Sequence, residues 1–227
     1  MTTIAAKPAI DPSPVRDPHR FGNGPNLALR PGTLGWSIND LEDPDVYFRW
    51  AQGRYEIHDG LLVEMPPSPF CGGAAVFNLI QILDPYLMAR QLRPSFAPGA
   101  GIEALPNRVV RGDTVGIWGD DRPKFDALRF PPPRTHWSQH ALTLPPTMVI
   151  ESISVGHEAM DRRTKRRWYA DVGVRHYWII DGLRRTVDCL LLEGDQYRDD
   201  GNGHDADVVR PESLDGLEIP LSALWIG

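Results

Sequence analysis

Apolar residues begin to recur in an ordered way near Trp36, and from there the chain alternates between two-residue and helical spacing. Arg54–Ile57 and Leu61–Met65 flank His58-Asp59-Gly60, which predicts a β-hairpin with Asp-Gly in its turn. From Gly73 to about Leu92, the residues Val76, Phe77, Leu79, Ile80, Leu83 and Leu87 fall on one helical face, with Pro85 expected to kink or interrupt the run. Between Ile102 and Phe130 two or three strands are expected, among them Arg108–Val110, Val115–Trp118 and Phe125–Phe130. Pro131–Pro146 reads as a long loop before an apolar strand, Met148–Ile153. A helix from about Glu158 to Val172 follows, ended by Gly173, then a strand Val174–Ile180, a turn at Asp181-Gly182 and a hairpin partner Thr186–Leu192. There is no internal repeat. This order predicts an α/β fold, a mixed sheet flanked by helices.

Before about Pro31 the chain carries Pro8, Pro12, Pro14, Pro18 and Pro25 among polar residues and offers nothing periodic to bury. Residues 1–31 are therefore expected to be a flexible arm and residues 32–227 a single domain.

The helix after Met148–Ile153 is the most informative segment for chemistry. At roughly 100° per residue, Arg162, Arg163, Arg166 and Arg167 cluster on one side, while Lys165 shares its arc with Trp168, Tyr169 and Val172. A lysine turned toward a core needs an anionic partner, because an unpaired buried ammonium is costly. Glu151, which interrupts the apolar run Met148-Val149-Ile150, is one candidate; Asp161, one helical turn before Lys165, is the plainer one. Two carboxylates and a lysine suit phosphodiester hydrolysis: the acids bind a divalent cation that activates water, and the lysine orients that water or stabilises the transition state. Asp126, in the expected strand Phe125–Phe130, is the second carboxylate this reading uses.

Composition limits the alternatives. A formal net charge of −6 argues against a protein that coats nucleic acid with a broad basic surface, though not against a nuclease with a local basic patch. The arginine cluster is a candidate for phosphate contact, and Arg184-Arg185 has the same ambiguity. Glu64, at the end of the early hairpin, is a candidate extra metal ligand, with a solvated strand carboxylate as the blander reading. His136 and His140 have i,i+4 spacing but no third ligand, so zinc is not expected. Cys71 and Cys189 form no CxxC, and no apolar run approaches the roughly 18 residues of a membrane span, so a cytoplasmic protein without a membrane partner is expected. Neither a P-loop nor a G-x-S-x-G elbow is present.

The run Tyr55-Glu56-Ile57-His58-Asp59-Gly60 through Pro66-Pro67-Ser68-Pro69, then Glu151-Ser152-Ile153-Ser154, Asp161 to Lys165, Tyr169-Ala170, Gly173-Val174 and Tyr177 to Asp181 resembles the Uma-type restriction endonucleases, a bacterial branch of the PD-(D/E)XK nuclease superfamily. The likeness extends from about Trp36 to Trp225 and is most specific between Glu151 and Asp181. It implies a restriction-endonuclease-like fold, Mg2+ or Mn2+ as cofactor and DNA as partner, with the superfamily's acidic ligand at Glu151 and its lysine, displaced into the helix, at Lys165. Two departures stand out. The family's adjacent Pro-Asp is here Pro123-Lys124-Phe125-Asp126, so either Asp126 fills the position or Lys124 has replaced the acid, and Asp126 is favoured by its distance from Glu151. After Pro69, the family's histidine is replaced by Phe70-Cys71-Gly72. The expected activity is DNA endonuclease; the alternative is a catalytically silent nucleic-acid-binding or interaction module. A homodimer would be a natural way to address two strands.

Overall fold

Asp59 and Gly60 both take positive φ, 51° and 85°, the conformation of a type I′ turn, whose twist matches that of the flanking strands. They join β1 (Tyr55–His58) to β2 (Leu61–Glu64) in the expected antiparallel hairpin, with His58 opposite Leu61. The computed structural model describes residues 29–124, 141–142 and 144–226. Before the hairpin lies α1 (Pro44–Gln52), which the sequence pattern did not reveal; Asp43 caps it by accepting from the amides of Asp45 and Val46. Val46 and Trp50, four residues apart, pack with Trp36, Ile57, Leu62 and Val109. Leu29 is buried in the same cluster, so the folded part takes in at least residues 29–31 of the stretch assigned to the arm.

After the hairpin, α2 (Phe70–Ala89) runs without interruption through Pro85. Pro85 and Gln81 both sit on the exposed side, where water can take the carbonyl that the missing N–H leaves free, so the expected break does not occur. By length and composition α2 could cross a membrane. Its Ala75, Val76, Leu79, Leu83 and Leu87, however, lie in the core. Each buried leucine there contributes roughly 1.5–3 kcal/mol.

Two sheets follow from the remaining strands. One has the order β2-β1-β5-β4-β7, adding β4 (Gly101–Leu105), β5 (Arg108–Arg111) and β7 (Ala141–Leu142) to the hairpin. The other comprises β3 (Ser95–Pro98), β6 (Thr114–Ile117), β8 (Met148–Ser152), β9 (His176–Asp181), β10 (Thr186–Glu193) and β11 (Gln196–His204), in the order β11-β10-β9-β8-β6-β3. Among the described strands of this second sheet only β8 and β9 run parallel, as the helical crossover between them requires. A short ribbon of β12 (Val208–Val209) and β13 (Ile219–Pro220) closes the C-terminal part.

The larger sheet is covered on both faces. Met148 and Ile150 of β8 and Trp178 and Ile180 of β9 pack with α2. The alternate residues Val149, Tyr177 and Ile179 pack with Trp168 and Tyr169 of α3 (Arg166–Val172). Gly173, at φ 89°, ends α3 and donates its amide to the Ala170 and Tyr169 carbonyls, the expected left-handed C-terminal cap. The mixed sheet flanked by helices is therefore the architecture the sequence pattern predicted.

Candidate active site

Strand parity places Glu151 on the α3 side of β8, because it shares that side with Val149. The helix that leads back to it is not uniform. Met160–Lys165 is a π-helical stretch that runs directly into α3, and such widened turns recur at functional sites. Asp161 and Lys165 both turn inward from it and are buried. The hydroxyl of buried Tyr177 donates to the Asp161 backbone carbonyl at 2.9 Å, pinning the start of this stretch to β9.

Lys165 uses all three of its donors. Its Nζ lies 2.9 Å from Glu56 Oε1, 3.0 Å from Glu151 Oε1 and 3.3 Å from the Arg111 carbonyl. Asp161, the plainer partner by sequence, is at 3.9 Å. Burial lowers the pKa of the ammonium, but Glu151, Glu56 and Asp161 more than reverse this and hold it above the ordinary lysine value, so it stays charged.

Glu56 comes from the other sheet. Ile57 turns into the cluster with Trp36 and Trp50, so Glu56 turns the opposite way, toward Lys165. Its Oε1 also accepts from the Arg111 amide at 2.9 Å, and its Oε2 lies 2.6 Å from His58 Nε2. Burial pushes this carboxyl up, but Lys165 and His58, with the Arg111 amide, more than reverse that and bring it down to about 2. Glu56 is thus a fixed anion that ties the two sheets together through Lys165.

Asp113 completes the group. It lies one residue before the Thr114–Ile150 pair of β6 and β8, which brings it beside Glu151. Its amide donates to Glu151 Oε2 at 3.4 Å, and its Oδ2 accepts from the Ser152 amide at 2.7 Å. Tyr169 donates to Glu151 Oε1 at 2.7 Å; burial and the nearby Glu151 and Glu56 raise its pKa, so the phenol remains a donor. Glu56, Asp113, Glu151, Asp161 and Lys165 all line one cleft, a cavity of about 100 Å3.

Negative charge is in excess there. Burial raises the Glu151 carboxyl well above the usual range, and Asp113, Asp161 and Glu56 add to this against the pull of Lys165. Asp161 is raised to about 6 by burial, with Asp113 and Glu56 again opposing Lys165. Hard oxygen donors carrying uncompensated charge suit a divalent cation of the Mg2+ or Mn2+ type. Among the described residues no three His, Cys, Asp or Glu side chains are already drawn together to hold a metal. The donor chemistry therefore fits a cation, and binding one would require the carboxylates to converge.

The structure sorts the residues singled out from sequence. Glu151 and Lys165 meet, as the strand and helix periodicities implied. Asp126 lies outside the described residues, as do His136 and His140; among the described residues, Asp113 is a carboxylate beside Glu151. Lys124 does not enter the cleft: it is exposed and pairs with Asp121 at 2.7 Å. Glu64 is exposed and stands opposite Tyr55, on the face of the hairpin away from Glu56, so it does not join these carboxylates. The four arginines divide. Arg162 pairs with Asp188 at 2.5 Å and Arg166 donates to the Tyr197 carbonyl at 2.7 Å. Arg163 and Arg167 are exposed and line, with Arg108 and Trp168, an open cavity of about 600 Å3. Arg184 is bound to Asp181 at 3.0 Å and reaches Glu158 at 3.5 Å.

Sequence reasoning missed Glu56 and Asp113. The alternation Tyr55-Glu56-Ile57-His58 carried a signal for Glu56, since an inward Ile57 sends its neighbours to the opposite face. Asp113, directly before the apolar strand Thr114–Ile117, offers the same pattern as a carboxylate at a strand end.

Comparisons with known proteins give the family and the fold. The sequence profile of the Uma2 family, described as putative restriction endonuclease, matches residues 44–222. The crystal structure of a putative nuclease belonging to DUF820 from Anabaena variabilis ATCC 29413 aligns with a TM-score of 0.58 at 11% identity, covering 83% of this chain and 97% of that one. At that identity the likeness concerns the fold, which is restriction-endonuclease-like. Among curated proteins none matches.

Proposed function

The chain belongs to the Uma2 family of putative restriction endonucleases, and on that premise we propose that it is a Mg2+-dependent endonuclease that hydrolyses phosphodiester bonds in DNA, with Mn2+ able to substitute. The observation that carries this reading is the buried Lys165 ammonium held between Glu56 and Glu151 in a cleft that Asp113 and Asp161 also line.

Glu151 and Asp113 would hold the cation. When bound, it supplies a water of lowered pKa and neutralises charge on the scissile phosphate. Tyr169, donating to Glu151 Oε1, fixes the orientation of that carboxylate. Lys165 trades its longest hydrogen bond, to the Arg111 carbonyl at 3.3 Å, for an oxygen of the attacking water or of the phosphate, where its charge counts most in the transition state. Glu56 keeps the ammonium aimed during that exchange. Arg163 and Arg167 contact the flanking phosphates through their exposed guanidinium groups.

The test is cleavage of supercoiled plasmid and of defined oligonucleotides with Mg2+, with Mn2+ and with a chelator, beside Glu151→Gln. Metal-dependent cleavage that disappears in the variant supports the reading. A second reading, a catalytically silent nucleic-acid-binding or interaction module, takes its support from the fact that no three donor side chains are drawn together among the described residues. DNA binding without cleavage under any of these conditions would decide for it.

A further inference from the structure

Beside the acidic cleft lies a second cavity of different character. It occupies about 430 Å3 between α2, which contributes Val76, Phe77 and Ile80, and the edge strand β3, which contributes Phe96 and Pro98. Ser68, Asp113 and Ser152 line both cavities, so the two adjoin. We propose that this groove receives an unstacked nucleobase of the substrate strand, the base adjoining the phosphate held at the acidic cleft; the chain's substrate is then nucleic acid with an unpaired base at the cleavage position. This rests on the nuclease reading above and specifies its substrate class.

Three observations point to a base. Phe77 is 62% exposed, and Phe70, one face-repeat earlier on the same helix, is 83% exposed; neither is explained by core packing. An aromatic ring open to solvent at the mouth of a nucleic-acid cleft is a stacking platform, which accepts any base through its π-face. Ser152 marks the seam. Its Oγ is buried against α2, at 4% residue exposure, and has no hydrogen-bond partner among the described residues, which leaves an unmet polar group at the seam between the two cavities. Its neighbour Gly72 leaves the room that the Ser152 hydroxyl occupies, since a Cβ there would collide with it.

Charge argues for the same occupant. Among the described residues Asp113 is the one charged side chain lining the groove, so a phosphate would be repelled, whereas a flat uncharged base is suited to apolar walls. Bases inside a duplex cannot reach such a groove without being unstacked, and that step is cheapest where the base is already unpaired.

The test uses the full chain with Ca2+ in place of the activating cation, so that binding is read without turnover. Anisotropy compares a short single strand, its duplex, and the same strand with one abasic position, and 2-aminopurine in the strand reports stacking. We expect the single strand to bind about ten-fold or more tightly than either competitor, with quenching of the 2-aminopurine. Phe77→Ala should weaken single-strand binding about five- to hundred-fold and abolish the quenching, whereas Phe77→Trp should restore both. Equal affinity for all three nucleic acids, or a Phe77→Ala protein that binds and quenches like wild type, would overturn the groove assignment and leave the nuclease reading standing. Absence of binding to any of them would overturn both. If Phe77→Ala instead converts a dimer to a monomer in sedimentation and leaves base preference unchanged, the groove is a contact between two copies and the proposal fails.

Discussion

The ammonium of Lys165 lies 2.9 Å from Glu56 and 3.9 Å from Asp161, so its nearer partner comes from a distant strand and not from its own helix. Replacing it by Met should expose the consequence. Lys165→Met leaves Glu56, Glu151 and Asp161 facing one another without a cation, and breaking a buried pair in this way costs about 3–5 kcal/mol. Urea denaturation should show that loss without divalent cation and a partial recovery with Mg2+, which takes over the neutralising charge. Turnover in single-turnover cleavage should not recover with it. Asp161→Asn, by contrast, should cost little stability, and a loss as large as that of Lys165→Met would return the lysine to its helical neighbour.

Glu56 is predicted to position rather than react. Glu56→Gln keeps an oxygen for Lys165 and for the Arg111 amide but removes the charge, so a loss of about 1–3 kcal/mol is expected. Its pH signature is specific. The folded-state pKa is depressed to about 2, so its contribution is present above the unfolded carboxylate value of about 4.3 and is lost as pH falls through about 2. In Glu56→Gln the acid limb of the stability curve should be flatter over that window. An unchanged limb would mean that Glu56 and Lys165 do not form a pair in solution.

Much of this site was legible beforehand because two periodicities intersect in it. The strand Met148–Ile153 and the helix through Lys165 each fix which side a residue faces, and together they bring Glu151 to Lys165. Glu56 and Asp113 were harder: Glu56 depends on how two sheets are placed against each other, and Asp113 on which strand pairs with β8, and local spacing encodes neither. The four clustered arginines show the same limit. Periodicity put them on one face, but Asp188 and the Tyr197 carbonyl, supplied by β10 and β11, occupy Arg162 and Arg166. The helix α2 went the other way: Pro85 predicted a kink or an interruption locally, and at its exposed position the helix runs on uninterrupted.

That division of the arginines gives a prediction about salt. Replacing both Arg163 and Arg167 by Ala should weaken DNA binding and reduce the salt dependence by roughly two counterions' worth of slope, without a change in melting temperature. Arg162→Ala should do the reverse, lowering stability by a fraction of a kcal/mol to about 1 kcal/mol through the loss of the half-exposed Asp188 pair, with little change in slope. Equal slopes for wild type and the double variant would assign this face to solvation alone.

Cation binding should follow the protonation of the crowded carboxylates. Asp161 is raised to about 6, and Glu151 is raised with it by burial and by Asp113. For a carboxyl whose folded pKa lies above its unfolded value, the folded state holds more protons in between, so stability is fully present below the unfolded pKa and is lost as pH rises through the folded one. The protein without divalent cation should therefore lose stability between about pH 4 and pH 6 on account of Asp161, and Mg2+ should offset the loss. Calorimetry on either side of about pH 6 should show tighter Mg2+ binding on the alkaline side, with proton release that depends on buffer ionisation. Glu151→Gln and Asp113→Asn should each weaken that binding and abolish cleavage, because each removes a charged oxygen donor while keeping the side-chain shape. Asp161→Asn should reduce the pH dependence while retaining binding, with Glu151 still held up by burial. Binding that is pH-independent in wild type, or intact in Glu151→Gln, would place the cation somewhere other than beside Lys165.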